Sequence, residues 1–228
     1  MKKNRSLACL DGTALKLIAM VCMVFDHVGD NFFPGQTWMR IIGRVAMPIF
    51  AFCVAEGFIH TRDRKKYLLR MGLFALLSEL PFDLVLSGRL GFEHQNVMFT
   101  FFIAILALLC YDRLVTENPT PGRIGLGTLA VIAGMAAALA LRTDYHLYGV
   151  GLVVLFYLLR DKETWVRSAL GMAFHIVTEN VGIYIFGLLG FLPLFLYNGE
   201  KGRGLKWLFY VFYPGHLLLI WLLKLAIR

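Results

Sequence analysis

Charge is what this chain has least of. Only 17% of its 228 residues are Asp, Glu, Lys or Arg, while 58% are hydrophobic and the mean hydropathy is +0.66. A soluble globular domain runs at roughly 25% charged and 45–50% apolar, so that class is excluded. Paired cysteines are also lacking. Cys9, Cys22, Cys53 and Cys110 show no paired spacing and three of them lie in apolar stretches. That pattern implies neither a disulfide framework nor a metal site, since Cys in such stretches behaves as a small hydrophobe. No Gly/Ser/Pro-rich linker or polar block is long enough to hold a separate soluble domain, so residues 1–228 read as one domain. No stacking or RNA-reading motif accompanies the net charge of +8, which excludes a nucleic-acid partner.

What is present is a succession of apolar runs, each about 17–25 residues long and able to cross a bilayer. The expected fold is an all-α, polytopic transmembrane bundle of about nine spans, with a range of seven to ten. They fall near residues 13–28, 38–59, 67–87, 95–112, 124–142, 146–160, 164–180, 181–198 and 205–226. The sixth to eighth are short, and one of them suits a re-entrant segment or a broken helix pair. The basic start is followed by an apolar run reaching Phe25 with no small-residue cleavage site, which reads as a retained first span.

Basic residues set the direction. With the N-terminus inside, Lys2, Lys3, Arg5, Lys16, Arg62, Arg64, Lys65, Lys66, Arg70, Arg113, Arg123, Arg160, Lys162, Arg167, Lys201, Arg203 and Lys206 fall on the cytoplasmic side, 17 of the 23. Arg40, Arg44, Arg89, Arg142, Lys224 and Arg228 remain for the outer half. The positive-inside rule then gives N-in and C-out, and this asymmetry, set against membrane lipids, accounts for the net charge. The expected location is a bacterial cytoplasmic membrane, crossed many times.

Ionisable groups in such helices are costly and mark interiors or functional paths. His27 lies roughly 20 Å along the first span at about 1.5 Å per residue, with Asp26 beside it. Arg44 enters the second span at a comparable depth. Glu79 and Asp83, four apart, share a face of the third span, and Pro81 between them loosens the backbone. His94, Gln95 and Asn96 open the fourth span, Glu179 and Asn180 close the seventh, and His216 falls nearer mid-membrane in the ninth. Plainer readings stand beside them: interfacial Asp30, Asp83 and Glu179, Arg44 as counter-ion to Asp26 or Asp83, a packed His216, and Asn96 as a helix cap. Together they predict one polar site in the outer half. On the opposite side HTRDRKKYLLR, residues 60–70, sets Arg62, Arg64, Lys65, Lys66 and Arg70 in one short turn, suited to lipid headgroups or to a polyphosphate ligand.

A basic inner turn, a route through the bundle and an imidazole near the far side fit an acyl-CoA donor. Histidine accepts a proton near neutral pH. Asp26 or Asp83 would orient it, and Arg44 or the Gln95 and Asn96 amides would face the oxyanion. His27 could instead carry the acyl group itself. A proton-coupled transporter is the alternative, since intramembrane His and carboxylates also make proton relays; a non-catalytic assembly partner is a third.

The stretches LKLIAMVCMVFDHVG (15–29), RIIGRVAMPIFAFCVAEGFIHTRDRKKYLLR (40–70), FALLSELPFD (74–83), HQNVMFTFF (94–102), DYHLYGVGLVVLFYLL (144–159) and YVFYPGHLLLI (210–220) resemble the TraX family in order and spacing across nearly the whole chain. Met47 stands where that family usually has Phe. The resemblance implies an integral membrane acetyltransferase using acetyl-CoA and no metal; the best-known member acetylates the N-terminus of a conjugative pilin. The layout also looks like the acyltransferase type 3 superfamily, in which the histidine ending the first helix is held to be catalytic and cytoplasmic arginines to bind the acyl-CoA. By motif position these fall on His27 and on Arg62, Arg64, Lys65, Lys66 and Arg70. The acceptor implied is a pilin-like peptide, a cell-surface glycan or a small amine.

Overall fold

The computed structural model describes residues 8–116 and 119–227, and the side chain of Lys206 is left aside. Lys2, Lys3, Arg5 and Arg228 of the charge reading lie outside the described residues. Within them the chain is all-helical. In chain order the helices are α1 (Gly12–Phe32), α2 (Thr37–Arg44), α3 (Ala46–His60), α4 (Arg64–Leu86), α5 (Val97–Val115), α6 (Pro121–Ala140), α7 (His146–Leu158) and α8 (Thr164–Thr178). A 3₁₀ segment (Gly182–Phe191), α9 (Leu192–Phe195) and α10 (Lys206–Ile227) complete it.

Helix starts follow local chemistry. Asp11, Asp63, Asn96 and Thr120 each turn a side-chain oxygen onto a free amide of the first turn, capping α1, α4, α5 and α6. Pro121 then occupies the first position of α6, where its missing N–H costs nothing. Pro48 has no N–H for the carbonyl of Arg44, and the helix is interrupted at Val45, dividing α2 from α3. Pro81 has no such effect, because α4 runs unbroken from Arg64 to Leu86.

The nine expected segments each fall on helix, but five are long and apolar enough to cross a membrane: Gly12–Phe32, Thr37–His60, Val97–Val115, Pro121–Ala140 and Trp207–Ile227. The other four fall short for physical reasons. α4 carries Arg64, Lys65, Lys66, Arg70, Glu79 and Asp83. α7 and α8 have 13 and 15 residues, about 20 Å against a hydrocarbon core of about 30 Å. The eighth segment is a 3₁₀ run closed by a four-residue helix.

The helices pack as two compact units, Met1–Cys53 with Leu159–Arg228, and Val54–Leu158. In the first, α1 and α2 form an antiparallel hairpin in which Gly29 meets the side chain of Met39 and Gly43 meets that of Asp26. α10 runs alongside α1 in the same direction. Lys16 lies over the Phe209 ring, His27 meets His216, and the Lys224 ammonium donates to Asn31 Oδ1 at 2.8 Å. The loop before α10 pins the start of α1, with Gly12 N–H donating to Glu200 O at 2.8 Å and the Thr13 hydroxyl to Arg203 O at 2.8 Å.

In the second unit α5 packs against α4, α6 and α7. α7 is its most enclosed element, with Tyr148, Leu152, Phe156 and Tyr157 almost wholly buried. α6 turns most of its Gly, Ala and Leu surface outward, the composition that lipid tails accept.

Candidate active site

The last turns of α1 carry Asp26, which the first unit buries, and Asp30, which is exposed. Asp26 and Asp30 are one turn apart on α1, and Arg40 and Arg44 are one turn apart on α2. A four-residue connection, residues 33–36, folds the two helices back on each other, so the pairs face. Arg44 donates to Asp26 Oδ2, Arg40 Nε lies 3.2 Å from Asp26 Oδ1, and Arg40 Nη1 pairs with Asp30 Oδ1. Asp26 and Arg44 are buried at 8% and 7% exposure. Charges that far from water persist only when paired, and here they are. Of the two counter-ions considered for Arg44, the structure shows Asp26. Absence of a side chain at Gly43 is what allows the approach, since a Cβ there would overlap Asp26.

His27 is the next residue along α1. Its Nδ1 lies 2.7 Å from Nε2 of His216 on α10, and Nδ1 of His216 lies 2.8 Å from the Phe212 carbonyl. The two rings are inclined by 4° with centroids 5.0 Å apart. That separation matches the nitrogen–nitrogen distance plus one ring radius at each end, so the imidazoles lie edge to edge in one plane rather than face on face. Asp26, offered as the group that orients the imidazole, is instead engaged by two guanidinium groups, and the ring meets a second histidine.

α8 and the 3₁₀ segment add to the same unit. His175 is buried at 3% exposure, with Nε2 3.0 Å from the Tyr184 carbonyl. The Arg44 guanidinium lies over the Tyr184 ring, 5.3 Å from its centroid. Glu179 ends α8 and interacts electrostatically with Arg44; Asn180 is exposed.

The second unit holds the remaining candidates in a separate network. Asn96 caps α5, accepting from Met98 N–H at 3.0 Å, and its amide hydrogens go to Ala75 O at 2.9 Å and Glu79 Oε2 at 2.5 Å. An asparagine amide has two N–H donors, so Asn96 has none left for an oxyanion, and the capping reading describes it. Gln95 Nε2 donates to Phe92 O at 3.1 Å, and its backbone brackets residues 142–144. Asp83 accepts from Gly91 N–H at 2.9 Å, tying down the loop after α4. His94 Nε2 lies 3.8 Å from Asp144 Oδ1, an ion contact longer than a tight hydrogen bond. The nearby Asp144 carboxylate favours the charged ring and raises the His94 imidazole above its ordinary value despite partial burial.

In the basic turn the residues divide. Arg62, Lys65 and Lys66 are exposed. The Lys66 amide donates to Asp63, whose carboxyl is thereby held below its ordinary range. Arg64 instead pairs with Asp112, which also accepts from the Tyr157 hydroxyl, and its guanidinium lies 4.6 Å from the Phe58 ring centroid. Arg70 lies 6.0 Å from the Tyr67 ring centroid. Three of the five cations thus face outward and two are partly covered.

Sequence reasoning left Arg40, Tyr184, Asp112 and Tyr157 out of the site and read Asp30 only as an interfacial carboxylate. A signal existed for Arg40 and Asp30: opposite charges at matching four-residue spacing on the arms of a short hairpin. Among the described residues no group of three or more His, Cys, Asp or Glu is arranged to hold a metal ion.

Apolar helices of spanning length, with buried ion pairs and imidazoles between them, define a helical membrane protein. A family model described as "TraX protein" matches residues 11–224, and the chain belongs to that family. It is 30% identical over 243 residues to "Probable fimbrial assembly protein FimC, serogroup H1" of Dichelobacter nodosus, covering 94% of this chain and 96% of that one. "Uncharacterized protein RP591" of Rickettsia prowazekii (strain Madrid E) is 22% identical over 81% of this chain and 68% of its own. "Protein TraX" of Escherichia coli is 27% identical over 59% of this chain and 55% of its own. No solved structure matches.

Proposed function

We propose that this chain is an integral membrane acetyltransferase that moves an acetyl group from cytoplasmic acetyl-CoA to an amine or hydroxyl at or beyond the outer face of the bacterial cytoplasmic membrane. The observation that carries this reading is the imidazole of His27, which a second histidine holds by one edge beside the buried Asp26–Arg44 pair. The exposed Arg62, Lys65 and Lys66 at the start of α4 suit the phosphates of CoA. Parallel packing of α1 and α10 supports an odd number of crossings, and the distribution of basic residues supports N-in and C-out.

In the reaction the acceptor gives its proton to His27, its lone pair forms a bond to the thioester carbonyl carbon, and the carbon–sulfur bond breaks. CoA leaves as thiolate and takes the proton back from His27, so free CoA and the acetylated acceptor are the products. In the covalent variant the His27 imidazole attacks the thioester carbon and CoA leaves as thiolate; the acceptor then displaces the imidazole from the acetyl group, and its proton goes to the thiolate. The fimbrial name of one relative, and the pilin acetylated by the best-known family member, favour the amine of a surface-fibre subunit as acceptor. A proton-coupled transporter is the second reading, favoured by two hydrogen-bonded imidazoles inside spanning helices.

Thermal unfolding of the detergent-purified protein with CoA, acetyl-CoA or ADP separates the two. A ligand at a hundredfold its Kd adds about 2.7 kcal/mol. CoA species should therefore raise the Tm more than ADP does, and Lys65→Glu with Lys66→Glu should remove the rise. No shift with CoA, together with solute flux driven by a pH gradient in liposomes, would replace the enzyme with the transporter.

A further inference from the structure

We propose that His216 sets the tautomer of His27, placing the proton on Nδ1 and the lone pair on Nε2, so that Nε2 is the atom presented to the acceptor or to the thioester. This rests on the reading of His27 as the reacting imidazole, and it makes His216 a positioning residue.

The assignment follows from one oxygen that can only accept. His216 Nδ1 lies 2.8 Å from the carbonyl of Phe212, one turn earlier on α10. A carbonyl has no hydrogen to offer, so Nδ1 of His216 carries one. The ring is 8% exposed and sits against the rings of Phe212, Tyr213 and His27. None of these is a carboxylate that would compensate a buried charge, so the ring is neutral. A neutral imidazole with its hydrogen on Nδ1 has a bare, accepting Nε2.

That Nε2 faces His27 Nδ1 at 2.7 Å, which requires the hydrogen between them to come from His27. The 4° inclination and edge-to-edge placement point the N–H of His27 along the in-plane lone pair of His216. His27 therefore has its own lone pair on Nε2. When Nε2 accepts a proton, the Nδ1–H bond to His216 persists, so one partner serves the ring in both protonation states. In a Ser-His-Asp triad a carboxylate does this work. Here the chain runs from carbonyl to neutral imidazole to imidazole, while Asp26 is held by Arg40 and Arg44.

The test has a spectroscopic and a kinetic arm. Protein labelled with ¹⁵N in the histidine rings is studied at about pH 8, above the ordinary imidazole value, and His27 is assigned by comparison with His27→Gln. The wild type should show His27 protonated on Nδ1 and bare on Nε2. His216→Phe should redistribute the proton between the two nitrogens, and His216→Gln, whose amide oxygen still accepts, should keep it on Nδ1. For acetyl transfer, His216→Phe should lower kcat about 100-fold with KM for acetyl-CoA changed less than about threefold. His216→Gln should recover to within about tenfold of wild type.

A wild-type His27 with its hydrogen on Nε2 would overturn the proposal, as would a phenylalanine variant with unchanged tautomer and kcat. Where that variant fails to fold, the wild-type and glutamine spectra decide. Nδ1–H observed in a protein that transfers no acetyl group would sink the acyltransferase reading while the tautomer assignment stood.

Discussion

One carboxylate on α1 answers two guanidinium groups on α2, and a spare aspartate one turn later takes the remaining charge. Residue by residue, this is how an apolar helix end tolerates four charges: each is paired with an opposite one, Asp26 and Arg44 away from water and Asp30 exposed to it. The arrangement was partly legible, because Asp26 and Arg44 stood out as charges in apolar runs. Its completion by Arg40 and Asp30 required knowing that residues 33–36 reverse the chain. His27 was legible as a candidate but its partner was not, since His216 lies 189 positions away and depth along a helix does not identify the lateral neighbour.

The second unit offers a residue-level test outside the spanning segments. Asp144 raises the imidazole of His94 above its ordinary 6.5. A histidine whose folded pKa exceeds its unfolded value contributes stability that is complete below about 6.5 and is lost as pH rises through the folded value. The Tm of the wild type should therefore decline between about pH 6 and pH 8 more steeply than that of His94→Gln. Equal slopes in thermal scans would show that the pair contributes nothing.

At the scale of elements, hydropathy located every helical stretch within a few residues because each is apolar, and side-chain caps mark the starts of α1, α4, α5 and α6. What it could not report was helix type or whether a stretch crosses. Residues 181–198 are as apolar as any, yet Gly187 and Gly190 press the chain against His175 and against the backbone and Pro48 at the α2–α3 junction, and the segment adopts a 3₁₀ form. Hydropathy likewise placed Asn96 at a site, whereas its amide joins α4 to α5 and caps α5.

The α1–α2 hairpin gives the element-scale prediction. Gly43→Ala pushes a methyl group into Asp26 and should destabilise the protein by about 1–3 kcal/mol through overpacking. Gly125→Ala on exposed α6 meets nothing within 4 Å and should be neutral or stabilising by up to about 1 kcal/mol. Thermal unfolding of both variants checks this. A neutral Gly43→Ala would show that close approach at this point does not hold the hairpin.

For the molecule as a whole, scarcity of charge established membrane residence, and the motifs established the family, matched over residues 11–224. Membership and buried polar groups narrow the chemistry; the acceptor is a question of surface partners, which intramembrane residues do not encode. The proposed function hinges on acyl transfer from CoA by His27. Its most direct test is the release of free CoA thiol from acetyl-CoA by the purified protein, with small amines and a pilin N-terminal peptide as acceptors, compared between wild type and His27→Ala. Release by the wild type is expected, with a loss of at least about 100-fold in His27→Ala that remains monodisperse with unchanged thermal unfolding. Undiminished release by His27→Ala, or none by the wild type with any acceptor, would contradict it.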